Sequence, residues 1–255
     1  MPDLIGRKIT FVLPSLNLGG AERQALLLAH HLAHEHEALV QVWGFREPGL
    51  VSGLCDQYGL PWKSVHFKLP KTWRGKGVSI VNFARQLRQS SAEILLPYGY
   101  EANLACGLSW RLSGARTCIW NQRDEGRHFS GGRIEQLAAS QVRTFVSNSS
   151  HGSDFLMHQF GIEPEQIKII FNGIELVKPE MDRSTWRARL GVDEDGFLVC
   201  MLANLTKFKD HATLLNAWRQ VVDTLNNERK ETVLVLAGRF DNTHESLKAL
   251  AYDLD

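Results

Sequence analysis

The chain has 255 residues, 44% of them hydrophobic and 22% charged, with a formal net charge of +1. That length buries a substantial core in one large domain or two small ones. A net charge of +1 gives no reason to expect nucleic acid as a partner, which needs a strongly basic domain or stripe. No stretch approaches the roughly 20 consecutive apolar residues of a membrane-spanning helix, and Met1 to Lys8 lacks the apolar run of a signal peptide, so a cytoplasmic protein is expected.

Short runs rich in Val, Ile and Leu alternate with amphipathic stretches, the pattern of parallel strands covered by helices. The first strand is Lys8–Leu13; a glycine-ended loop, Pro14 to Gly20, leads into a helix from Ala21 to about His34, with Ala25, Leu28, Ala29 and Leu32 at helical spacing. Further strands are expected at Leu39–Trp43, Ser64–Phe67, Glu93–Pro97, Thr117–Trp120, Thr144–Val146 and Lys168–Phe171. Helices are expected near Val51–Tyr58, Val78–Arg88, Ala102–Leu112, Ile134–Ser140 and Gly152–Phe160. This is the content of one doubly wound domain.

After Asn172-Gly173 the rhythm restarts with a helix (Ser184–Leu190), a strand (Phe197–Ala203), a helix (His211–Leu225), a strand (Thr232–Ala237) and a helix from about His244. Val233 to Ala237 is apolar at every position and calls for neighbours on both edges and cover on both faces, which two parallel strands do not supply. The expected organisation is therefore an α/β chain with one whole Rossmann-like domain, 1–175, and the first half of a second, 176–255. The plainer reading of the second part is a two-stranded appendage.

Open parallel sheets bind ligands beyond the carboxyl ends of their strands, so those loops are the places to search. Ser15 to Gly20 brings adjacent glycines to a helix N-terminus, where free amides and the helix dipole favour an anion such as a diphosphate; a simple turn uses the same residues. Tyr98 to Asn103 follows the fourth strand, and Asn121-Gln-Arg-Asp-Glu-Gly-Arg-His128, crowded with hydroxyl- and phosphate-binding groups, follows the fifth. Beyond the strand ending at Ala203, Asn204 to Lys209 leads into a helix at His211. A lysine beside a helix N-terminus opposes the dipole unless an anion joins it, which favours phosphate binding by Lys209.

Taken in order, four blocks resemble family 4 of the glycosyltransferases, retaining GT-B enzymes that move a sugar from a nucleotide donor: Gly19-Gly-Ala-Glu-Arg23; Phe145 to Ser149 with Ile167 to Ile174; Met201 to His211; and Leu234 to Gly238. The resemblance implies a donor diphosphate held by Lys209 and Asn204 and approached by the Gly19 and Gly20 backbone. Asn17, Tyr98, Glu101 and Asn121 become candidate acceptor-side contacts, and Arg123 or Asp124 candidates for facing the reacting sugar. It implies a nucleotide-sugar donor, a glycan or lipid-linked acceptor, a surface-polysaccharide role, and no metal or other cofactor. Asn204 stands where many members carry an arginine, and Asn121 to Asp124 where many carry a histidine. The family's EX7E block would lie beyond Gly238 and is not in the sequence, so weak or no transfer is expected of this polypeptide alone.

Between Gln57 and Ala92 lie seven lysines and arginines and no acidic residue, interleaved with Trp62, Phe67 and Trp73. The stretch 62–76 suits an anionic membrane surface; a solvated loop with a buried tryptophan is the alternative. Four scattered cysteines, Cys55, Cys106, Cys118 and Cys200, read as reduced apolar side chains. His30 to His36 lacks HExxH, and the Asp-x-Asp pairs at Asp193 and Asp253 are read as inert. The rival readings are a nicotinamide-dependent Rossmann enzyme, for which the glycine pattern is wrong and only Glu47 offers a ribose contact, and a non-catalytic acceptor- or lipid-binding module.

Overall fold

The computed structural model describes residues 4–174, 176–226 and 231–254. It divides into two compact units, Met1–Ile174 and Glu175–Asp255.

The first unit is a parallel sheet of seven strands, β1 (Lys8–Leu13), β2 (Leu39–Gly44), β3 (Trp62–Ser64), β4 (Ile94–Pro97), β5 (Thr117–Gln122), β6 (Thr144–Ser147) and β7 (Ile167–Ile169), in spatial order 3-2-1-4-5-6-7. Strand β1 lies between β2 and β4, pairing Phe11 with Val42 on one side and Leu96 on the other. Alternation along the central strands sends side chains to opposite faces. Ile9, Phe11 and Leu13 join a core with α1 (Gly20–His34) and α2 (Leu50–Gln57). Val12, Trp43, Leu95 and Trp120 join the core on the other face with α3 (Trp73–Gln89), α4 (Tyr100–Ser113) and α5 (Arg133–Ser140). Helix α6 (Ser150–Phe160) adds Leu156 to that second core.

Several local expectations need correction. Strand β3 occupies Trp62–Ser64, not Ser64–Phe67: pairing ends at Ser64, and Phe67 turns out of the sheet to stack between Phe45 and Phe83. Helix α3 begins at Trp73, five residues before the expected Val78, because Thr72 caps it by accepting from the Gly75 amide (3.2 Å) and the end is formed despite two glycines. On α1 the buried face is Ala25, Leu26 and Ala29, while Leu28 stays 37% exposed. Three of the cysteines are buried, but Cys200 is exposed.

The second unit holds α7 (Arg183–Leu190), β8 (Phe197–Leu202), α8 (His211–Asn226), β9 (Thr232–Ala237) and α9 (His244–Leu254), with β8 and β9 paired in parallel. Every residue of β9 is only half-buried although its sequence is apolar throughout. A groove lined by Leu215, Trp218, Val222, Leu234, Leu236 and Tyr252 runs along this sheet.

Close packing of α4 on α5 rests on Gly107, where an added Cβ would lie 2.8 Å from the Ala138 carbonyl oxygen. The Gly107→Val variant is expected to lose about 2–3 kcal/mol, more than the roughly 1 kcal/mol that removing a helical glycine returns. A lower urea midpoint at unchanged slope checks this.

Candidate active site

The strand order reverses between β1 and β4, so the crevice of this sheet opens where the β1 and β4 loops leave its carboxyl edge. The β1 loop ends at Gly19, the N-cap of α1. The amide end of that helix is not empty: Glu22 is largely buried, and hydrogen bonds from its own and the Gly19 backbone amide reach its carboxyl group. Burial pushes this carboxyl up, against the lowering effect of those amides. A Cβ on Gly19 would sit 2.6 Å from Glu22 Oε2, so a larger residue there would displace the carboxylate that folds over it. Gly20 has open space beside it. Asn17 approaches the β2 loop closely enough that a Cβ on Gly49 would lie 2.5 Å from its Oδ1.

Asn103, fully buried on α4, fixes the end of β5: its Nδ2 donates to the Asn121 carbonyl (2.8 Å) and its Oδ1 accepts from the Asn121 amide (3.2 Å). The Asn121 side chain donates back to the Ile119 carbonyl (3.0 Å), and Asn121 is itself buried. Asp124 closes the next turn, its Oδ1 accepting from Gln122 Nε2 (3.2 Å) and the Gly126 amide (2.7 Å). Gly126 has φ +84°, and a Cβ there would run into the Phe155 ring, so only glycine suits this turn.

Arg123 lies between these two structural residues and is held differently. Its guanidinium lies 5.1 Å from the Tyr98 ring centre, and Nη2 donates to Asn172 Oδ1 (2.5 Å). Its Nε is buried without a partner, and among the described residues no carboxylate lies within ion-pair distance of it. Burial lowers its pKa, opposed by Tyr98, and the Tyr98 phenol is in turn pushed up by burial. The neighbouring Gly173 is clamped to α1 by Gln24, which donates to its carbonyl (2.7 Å) and accepts from its amide (3.0 Å). The sequence reading missed Gln24; no motif marks a side chain that acts on backbone so distant in the chain.

Also missed was a buried carboxylate, Glu135, 2% exposed at the start of α5. It accepts from Tyr100 Oη (2.8 Å), from the amide and hydroxyl of Ser130, and from the Gly132 amide (2.9 Å). Burial pushes its carboxyl up, but these donors together outweigh burial and bring it below the ordinary value of 4.5. Glu101, next to Tyr100 in the first turn of α4, pairs with Arg46 at the surface (3.0 Å).

In the second unit, Asn204 Oδ1 accepts from the Arg239 amide (3.2 Å), joining the loops after β8 and β9. Gly238 is needed there, since its Cβ would collide with the Ala203 carbonyl oxygen. Lys209 ends a single 3-10 turn, exposed, with no carboxylate within ion-pair distance among the described residues. Asp210 (φ +51°) then accepts from the Thr213 amide (3.4 Å), while His211 is 2% exposed with both ring nitrogens unpartnered. His34 contacts the Tyr58 carbonyl (3.0 Å), and no group of three or more metal-ligating side chains converges among the described residues. Asp255 lies outside those residues.

The fold is α/β of GT-B type. Its first seven-stranded sheet and helices, with the second unit, match the Anabaena protein HepE, solved with UDP and glucose, at a TM-score of 0.74 and 18% identity, over 97% of this chain and 65% of that one. A glycosyltransferase from Rickettsia africae matches at a TM-score of 0.72 and 15% identity, over 98% and 65%. A UDP-N-acetylglucosamine 2-epimerase from Listeria monocytogenes shares the architecture at 0.57 and 14% identity, over 98% and 67%, so the fold alone does not fix the reaction. No family model matches the chain. In sequence, the D-inositol 3-phosphate glycosyltransferase of Rhodococcus jostii is 28% identical over 105 residues, 41% of this chain and 23% of that protein. The chain thus spans about a quarter of that relative in the match, and under two thirds of HepE.

Glu135 yields a pH prediction. Because its folded pKa is depressed, its stabilisation is present above pH 4.5 and is lost as pH falls through the folded value. At pH 7, Glu135→Ala is expected to cost roughly 2 kcal/mol, leaving the part-buried donors of Tyr100, Ser130 and Gly132 without their acceptor. In urea titrations across pH, the difference between wild type and variant should shrink on the acid side.

Proposed function

We propose that the protein is a sugar-nucleotide-dependent glycosyltransferase that transfers with retention to a glycan or lipid-linked acceptor in surface-polysaccharide assembly. The observation that carries this reading is Arg123: a half-buried guanidinium at the carboxyl edge of a parallel sheet, with an unpartnered Nε and, among the described residues, no carboxylate within ion-pair distance. Such a cation is poised for an anionic ligand, and in this reaction the leaving nucleoside diphosphate is that anion. The relatives named for glycosyl transfer support the same chemistry.

In this reading the second unit takes the donor, with Lys209 and the loop organised by Asn204 facing the diphosphate, and the first unit takes the acceptor. The Gly19 and Gly20 amides meet the diphosphate only when the Glu22 carboxylate gives way, and burial already disfavours its charged form. Asn17, Tyr98 and Glu101 are proposed around the acceptor; Asn121 acts through its backbone position. Arg123 is the group proposed nearest the reacting sugar, and Asp124 shapes the turn that presents it. The acceptor hydroxyl bonds to the anomeric carbon on the face from which the diphosphate departs as the bond to the diphosphate oxygen breaks, its proton passes to that departing oxygen, and positive groups lower the barrier by holding the developing charge. No metal or other cofactor is assigned. The protein is proposed to work at the cytoplasmic face of a membrane, with the stretch 62–76 against the anionic surface; Trp73, 70% exposed, is available for that contact.

Isothermal calorimetry with UDP, GDP and NAD tests the reading. A nucleoside diphosphate is expected to bind, at least tenfold more weakly in Lys209→Ala and in Arg123→Ala, with circular dichroism unchanged. Binding of NAD without either diphosphate would replace the transferase by an oxidoreductase.

A further inference from the structure

A feature of the first unit that the donor chemistry leaves unused is a pocket of about 530 Å3 beyond the carboxyl ends of β2, β3 and β4. Its volume falls in the range of small-molecule sites. One wall is apolar: Phe45 stacks on Phe67 with ring centres 5.6 Å apart, and Leu104 and Ile134 continue the surface. The polar lining divides into groups that are already satisfied and groups that are not. Arg46 is neutralised by Glu101 (3.0 Å), and the Glu135 carboxylate is saturated by Tyr100, Ser130 and Gly132. Lys68, Lys76 and the imidazole of His66 remain, with no carboxylate within ion-pair distance among the described residues. Lys76 Nζ lies 4.7 Å from the centre of the Trp73 ring, which holds the ammonium group in place without cancelling its charge.

We infer that this pocket binds a phosphate-bearing amphiphile, its phosphate against Lys68 and Lys76 and its apolar portion along Phe45, Phe67, Leu104 and Ile134. Two unneutralised ammonium groups beside a hydrophobic wall match that pairing of charge and apolar surface, and neither a neutral sugar nor a bare anion uses both. That this ligand is the acceptor rests on the glycosyltransferase reading; the binding itself does not.

Calorimetry of the whole chain with geranyl phosphate, geraniol and glucose 1-phosphate tests it. Geranyl phosphate is expected to bind at least tenfold more tightly than either of the others, and at least tenfold more weakly to the double variant Lys68→Ala/Lys76→Ala. The charge-matched control Arg85→Ala/Arg88→Ala, on the same helix but outside the pocket, is expected to bind as wild type. Glucose 1-phosphate binding as tightly would assign the site to soluble sugar phosphates and overturn the amphiphile. Geraniol binding as tightly, an equal loss in the control, or no binding of geranyl phosphate would each overturn it as well. UDP titrated into the same preparations separates the two ideas. UDP binding without geranyl phosphate binding removes only the pocket, and the reverse removes the transferase while leaving the pocket.

Discussion

Parallel pairing governs this structure. Neighbouring strands that run the same way cannot be joined by a tight turn, so each connection crosses a face of the sheet, and the crossovers here are helices with short loops. Seven parallel strands therefore deliver all their outgoing loops to one edge. Because the order reverses between β1 and β4, the loops carrying Gly19, Tyr98 and, one strand further, Arg123 leave that edge side by side. The polar groups that matter most are gathered by this constraint, far apart as they are in sequence.

Within that edge, the residues divide by what already satisfies them. Asn121, Asp124 and Glu135 are consumed by backbone amides and neighbouring side chains, and their hydrogen bonds fix the shape of the loops. Arg123, Lys68 and Lys76 have no carboxylate within ion-pair distance among the described residues. The first group builds a rigid frame, and the second leaves positive charge that no nearby carboxylate neutralises among the described residues.

The hydrophobic alternation made most elements of the first unit legible, because burial on both faces leaves runs such as Lys8–Leu13 and Thr117–Gln122 little choice. Errors fell where local signals and tertiary packing disagree. Gly75 and Gly77 argued against a helix that Thr72 nevertheless caps from Trp73 onward. Val65 and Phe67 look like strand residues, yet Phe67 earns more burial between two other phenylalanines than in an edge strand three residues long.

The sequence by itself determined the class of fold and the loops in which polar and basic groups concentrate, since periodicity, turn residues and charge are local properties of the chain. Only the tertiary structure decided which of those groups are spent. Glu22 folds back over Gly19 and fills the helix end that the glycines alone had suggested for a ligand, while Gln24 reaches Gly173 from the opposite end of the unit. Partnership between such distant residues is set by packing, and a hydrogen bond forms only when the folded chain places donor and acceptor within reach.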